Sequence, residues 1–112
     1  MTVEVRDGDV WLDGVRVELE HAVTMAERLA DGSIVVLFDL AADASSSWRT
    51  FSNLISMDEQ GHTRWTAAPP DSHADAFVAI VSTDPFIAQS FSGYRCTLDP
   101  DTGEILHREF TK

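Results

Sequence analysis

An all-β fold is the class this sequence predicts, and three observations predict it. Turn signals recur at short spacing: Asp7-Gly8, Asp13-Gly14, Asp31-Gly32, "DEQG" at 58–61 and "DPDTG" at 99–103. The segments between them are rich in β-branched and aromatic residues, and several alternate apolar with polar, as half-buried strands do. The two longer turns also share one local outline, with Asp58 and Asp99 41 residues apart, the length of a four-stranded β unit.

The elements follow in chain order. "VEV" and "DVWL" flank Asp7-Gly8 as a hairpin, because the tight turn needs positive φ and glycine adopts it without steric cost. "VRVEL" follows Asp13-Gly14, so the first 19 residues read as an N-terminal hairpin or three-stranded meander. In "LEHAVTMAERLADG" periodicity puts Leu19, Ala22, Val23, Ala26, Leu29 and Ala30 on one helical stripe, with Asp31-Gly32 as a stop. The repeat decides for a strand, leaving one short helix near 20–30 as the alternative. "IVVLF" is apolar throughout, which suits a strand covered on both faces. "FSNLISM", "AFVAIVST", "PFIAQSF", "YRCTL" and "EILHREF" complete two four-stranded units, roughly 22–66 and 77–110, within a single domain over 1–112. In "YRCTL", Tyr94, Cys96 and Leu98 point inward and Arg95, Thr97 and Asp99 outward. Antiparallel meanders of this kind form one curved sheet or a sandwich.

Two connections interrupt the strands. "AADASSSWRT" at 41–50 is small and Ser-rich, and "AAPPDSHADA" at 67–76 carries Pro69-Pro70. Both read as exposed loops, where binding residues concentrate. Trp48 and Arg49, of the types most enriched at interface hot spots, are candidate partner-binding residues together with Asp43, Asp71 and Asp75. The competing reading of Trp48 is the start of a strand running through Phe51.

"NLISMDEQGHTRW" and "YRCTLDPDTGEILH" share alternating apolar residues, an aspartate, a turn closed by glycine, and a further strand. This outline resembles the blades of quinoprotein-like (pyrroloquinoline-quinone-type) β-propellers, whose ends read approximately A-x-D-x-x-T-G-x-x-x-W. Asp99, Thr102 and Gly103 match, with His107 where the tryptophan would fall; Asp58, Gly61 and Trp65 match in a turn one residue shorter that lacks the threonine. The resemblance implies structural roles. The Asp and Thr bond the turn backbone, the glycine takes the bend, and the tryptophan docks one blade on the next. Two units do not close a ring of four to eight blades, so no quinone or other cofactor is expected. The ending "SGYRCTLDPDTGEILHREFTK" also resembles short uncharacterised bacterial proteins with a Gly-Tyr-Arg, Asp-Pro-x-Thr-Gly and Glu-Phe pattern.

Charge narrows the partners. Nineteen acids against eight bases give a formal net charge of −11, and the arginines are scattered, so a phosphate backbone is repelled and no nucleic acid is expected. A basic protein would be steered in instead. No apolar run is long enough to span a bilayer, so no membrane contact is expected. "MTVEVRDGDVW" shows no signal peptide, and the lone Cys96 suits a reducing cytoplasm.

Catalytic patterns are missing from the sequence. His21, His62, His73 and His107 have no metal-type spacing, and His73 with Asp71 and Asp75 is the best local ligand cluster. "DPDTGE" continues into Ile105 and Leu106 instead of the oxygen ligands of a calcium loop. No serine sits in a G-x-S-x-G elbow, and Cys96 alternates onto the inward face as a buried thiol. No metal and no enzyme activity are expected. The sequence therefore points to an acidic cytoplasmic interaction module, such as an immunity-type inhibitor of a basic toxin. The alternative is a non-catalytic small-ligand domain with a pocket lined by Trp11, Trp65 and Tyr94. An unclosed meander leaves edges, so pairing of two copies through a sheet edge or face is also expected.

Overall fold

A computed structural model of the chain describes residues 2–39, 52–70 and 75–111. Among these residues the chain is all-β. The strands are β1 (Val3–Arg6), β2 (Asp9–Leu12), β3 (Val15–Val17), β4 (Val23–Arg28), β5 (Ile34–Phe38), β6 (Leu54–Met57), β7 (Thr63–Ala67), β8 (Phe77–Thr83), β9 (Phe86–Ser90), β10 (Tyr94–Leu98) and β11 (Ile105–Phe110). They form three antiparallel meanders, ordered β1-β2-β3, β4-β5-β6-β7 and β8-β9-β10-β11. The turns Asp7-Gly8 and Asp13-Gly14 join the first three strands, with both residues of each pair at positive φ, as the tight hairpin turn requires.

The helix alternative near 20–30 is corrected: β4 pairs with β5, Ala26 opposite Val36 and Arg28 opposite Ile34. A bulge between Val23 and Met25 explains why the sequence imitated a helix. Val23 and Ala26 pack into one apolar cluster and Met25 into the other, so the apolar residues do not alternate cleanly.

Both clusters rest on β5. Its five residues are all buried. Ile34, Val36 and Phe38 join Val10, Leu12, Ile55 and Met57 against the first sheet. Val35 and Leu37 join Leu54, Trp65, Phe77, Ala88, Cys96 and Leu98 against the third. The second sheet is thus covered on both faces. The outer faces of the stack differ from these junctions: Glu4, Trp11 and Arg16 share one, and Gln89, Arg95 and Glu109 share the other.

The same contact recurs at each junction. A Cβ added at Gly61 would come within 3.0 Å of Val17 Cγ1, and one at Gly103 within 2.5 Å of Trp65 Cε3. In each case a side chain on the last strand of one sheet sits on the turn glycine of the next. The Trp65 indole Nε1 also donates to the Pro100 carbonyl at 2.9 Å. The two longer sheets are pinned a second time by Asn53, which is fully buried. Its Nδ2 donates to the carbonyls of Phe38 (3.1 Å) and Phe77 (2.7 Å), and its Oδ1 accepts from Phe77 N–H (2.9 Å).

Candidate functional site

In an antiparallel meander alternate turns share one end, so the β4–β5 and β6–β7 turns lie together, as do β8–β9 and β10–β11. Arg64, at the start of β7, ties the two sets into one rim by reaching Asp31 at 3.9 Å and Asp101 at 3.6 Å. The rim carries Asp31, Asp58, Glu59, Asp99, Asp101 and Glu104, and Arg28 reaches Glu59 there at 3.7 Å.

Local backbone chemistry fixes several of these carboxylates. Asp58 Oδ1 accepts the N–H groups of Gln60 and His62, both at 2.9 Å. The His62 N–H above all holds the Asp58 carboxyl below its ordinary range against the opposing effect of burial, with smaller help from the Gln60 N–H and the nearby imidazole. Asp31 is lowered chiefly by the Ser33 hydroxyl, then by the Ser33 N–H and the Arg64 charge, with burial opposing. Asp99 Oδ1 accepts from Asp101 N–H at 2.9 Å, and Thr102 Oγ1 from Glu104 N–H at 3.2 Å. Gly61 and Gly103 have φ of 87° and 77°, the left-handed region. "DPDTG" is a hairpin turn whose side chains bond its own backbone. A hollow of about 270 Å³ opens beside Asp31, Ser33, Asp58, Glu59 and Arg64. Among the described residues no three His, Cys, Asp or Glu side chains converge as a metal would require.

The loop candidates Asp43, Trp48, Arg49 and Asp71 lie outside the described residues, as does His73. Asp75 does not fit the partner-facing role expected of it, because it is only 3% exposed. Its Oδ1 accepts the N–H groups of Ala76 and Ser92 at 2.9 Å, and its Oδ2 accepts the Ser92 hydroxyl at 2.7 Å. A carboxylate so committed braces the chain instead of meeting a ligand. Trp11, Trp65 and Tyr94 do not line one pocket. Trp11 lies beneath the Arg6 guanidinium at 4.2 Å, Trp65 fills the junction, and Tyr94 packs edge-on to Phe110 under Arg108. His62 and His107 are exposed.

Cys96 is buried, and its thiol is pushed up to about 11, first by desolvation, then by the Asp75 charge, with Arg108 acting the other way. The folded chain therefore keeps its proton in a range where the unfolded thiol ionises. Any contribution of this group to stability is intact below about pH 9 and is lost as the pH rises toward 11. A disulfide-exchange reagent at pH 8 is expected to leave Cys96 unmodified until denaturant is added. Rapid labelling of the native chain would contradict its burial.

Asn53, Arg28, Ser33 and Arg64 escaped the sequence reading. Asn53 carried a faint signal, a polar residue opening an apolar strand; the others depend on which turns come together.

The family model described as Domain of unknown function (DUF7957) matches residues 1–110. No curated protein matches. Among solved structures the chain is similar to "The crystal structure of BamB from Moraxella catarrhalis", at 20% identity and a TM-score of 0.61. The likeness covers 98% of this chain and 32% of that one, so the chain spans about a third of that protein's length. It shows a β-propeller-like fold, and the three stacked meanders correspond to blades.

Proposed function

We propose that this chain, which belongs to the DUF7957 family described as a domain of unknown function, is a non-catalytic acidic interaction module. Its turn rim receives a basic protein. One observation carries the reading: carboxylates from three separate turns gather on one rim, two of them held ionised by backbone N–H groups or a serine, with Arg28 and Arg64 as the arginines among them. Fixed anions on a rigid scaffold resemble a row of phosphates, so an immunity-type inhibitor of a nucleic-acid-binding toxin is the form this module takes. The net charge of −11 adds long-range steering. The lone buried Cys96 suits the reducing cytoplasm proposed for it. The ending "SGYRCTLDPDTGEILHREF" resembles that of short bacterial proteins with quinoprotein-type blade repeats, which supports grouping the chain with them.

The test uses the immobilised chain and lysate of its own organism. A basic protein is expected to be retained at about 50 mM salt and released by about 500 mM, where the Debye length has shrunk severalfold. Glu59→Gln, Asp101→Asn and Glu104→Gln together are expected to weaken that binding at least about tenfold, since all three residues are exposed. Retention that ignores both salt and the triple substitution would remove the rim from the explanation.

A further inference from the structure

We propose that β11 is a homodimerisation edge, pairing antiparallel with the β11 of a second copy about a two-fold axis through Arg108. This goes beyond the basic-partner reading. Each sheet has two edge strands; the first strands β1, β4 and β8 lie against one another, and the last strands β3, β7 and β11 are not alike. β3 has three residues, and β7 exposes Thr63, Arg64 and Thr66 but no large apolar side chain. β11 has six residues, five of them exposed, with Leu106 at 63% and Phe110 at 60% of full exposure. Among the described residues no backbone hydrogen bond reaches the side of Ile105–Phe110 away from β10. A long edge with bare N–H and C=O groups and exposed apolar side chains is a template for another strand.

Symmetry selects the register. β11 bulges where Ile105 faces Leu98 and His107 faces Thr97; past that bulge a two-fold axis perpendicular to the sheet keeps every side chain on its own face, so residues opposite one another must differ by an even number of positions. Centring the axis on Arg108 sets Leu106 against Phe110 of the second copy and His107 against Glu109 of the second copy, each twice. Both exposed apolar side chains then gain an apolar partner, and both carboxylates meet an imidazole. Centring on His107 would oppose Leu106 to Arg108, and centring on Glu109 would oppose that carboxylate to itself. The single unfavourable pair is Arg108 with its copy. Each guanidinium is held within its own copy, where Nη1 donates to the Pro70 carbonyl, after β7, at 3.0 Å and the group lies 5.0 Å from the Tyr94 ring centre. Face-to-face pairing is disfavoured because the stack's outer faces carry Glu4, Arg16, Arg95 and Glu109.

A six-residue edge buries less than a standard interface, so the dimer is weak, with Kd on the order of 10 µM. Sedimentation of the full chain across that range is expected to show the mass rising from 12.4 kDa toward twice that value. Glu109→Arg is expected to weaken the dimer at least about tenfold, by removing the carboxylate that faces His107. Combining it with His107→Glu sets a carboxylate opposite a basic group again in both pairs and is expected to restore dimerisation to within about threefold. Leu106→Lys with Phe110→Lys should give a monomer with unchanged circular dichroism, since both side chains are exposed. A monomer at every concentration, or a dimer indifferent to Glu109→Arg, would overturn the proposal. Failure of the double charge swap to restore pairing would overturn the register.

Discussion

Replacing Asn53 by alanine is expected to cost the fold about 3–4 kcal/mol. The side chain has no exposure and makes three hydrogen bonds to main-chain groups. Its amide acts as a spare peptide unit: one end donates to carbonyls closing β5 and opening β8, and the other accepts the Phe77 N–H. Alanine strands a buried N–H and two carbonyls, each costing about 1–3 kcal/mol when left unmet. Leucine would fill the space but satisfy none of these groups. Urea unfolding should show a lower midpoint with an unchanged slope, because the surface exposed on unfolding stays the same. A loss under about 1 kcal/mol would mean that water takes over the amide's bonds.

The junction of Trp65 with Gly103 gives the second large effect. Gly103 has φ +77°, and an added Cβ would lie 2.5, 2.8 and 2.9 Å from three Trp65 ring carbons, closer than any real contact. Gly103→Ala therefore combines left-handed strain of about 1 kcal/mol with displacement of the indole and loss of its bond to Pro100. A total near 3 kcal/mol is expected, and Trp65→Ala is expected to cost about 3–5 kcal/mol through the cavity it leaves. The two substitutions should not add. Once the ring is gone, alanine at 103 costs only the strain, so a double-mutant cycle should return about 2 kcal/mol of coupling. Gly14 supplies the control: it has φ +79° and nothing within 4 Å of an added Cβ, so Gly14→Ala should cost about 1 kcal/mol. Equal losses at positions 14 and 103 would show that backbone strain alone, and not the tryptophan, makes glycine necessary.

Much of this fold was legible because hairpin chemistry is local. Asp-Gly turns, the alternation in "YRCTL" and the continuous apolar run in "IVVLF" each report their surroundings within a few residues, and β5 is indeed covered on both faces. β4 was ambiguous for a physical reason, since a bulge shifts the face of each residue after it and breaks the two-residue period on which strand reading depends. The site was less legible. Asp75 sits in a polar, proline-bounded stretch that reads as solvent-exposed, yet the chain folds the Ser92 N–H and hydroxyl onto its carboxylate. Arg64 looks like an ordinary outward residue beside Trp65, and only the adjacency of the turns bearing Asp31 and Asp101 makes it the tie of the rim. Contacts between residues more than thirty positions apart leave no periodic trace in either segment.

The placement of β5 between two apolar clusters bears on how the molecule comes apart. Ile34, Val36 and Phe38 belong to one cluster and Val35 and Leu37 to the other, so stripping either neighbouring sheet uncovers one side of the same five residues. Neither cluster can dissolve while the other persists unharmed, because both are anchored to a single strand. The stack is therefore expected to come apart as one cooperative unit, with the β5 amides among the slowest to exchange with solvent.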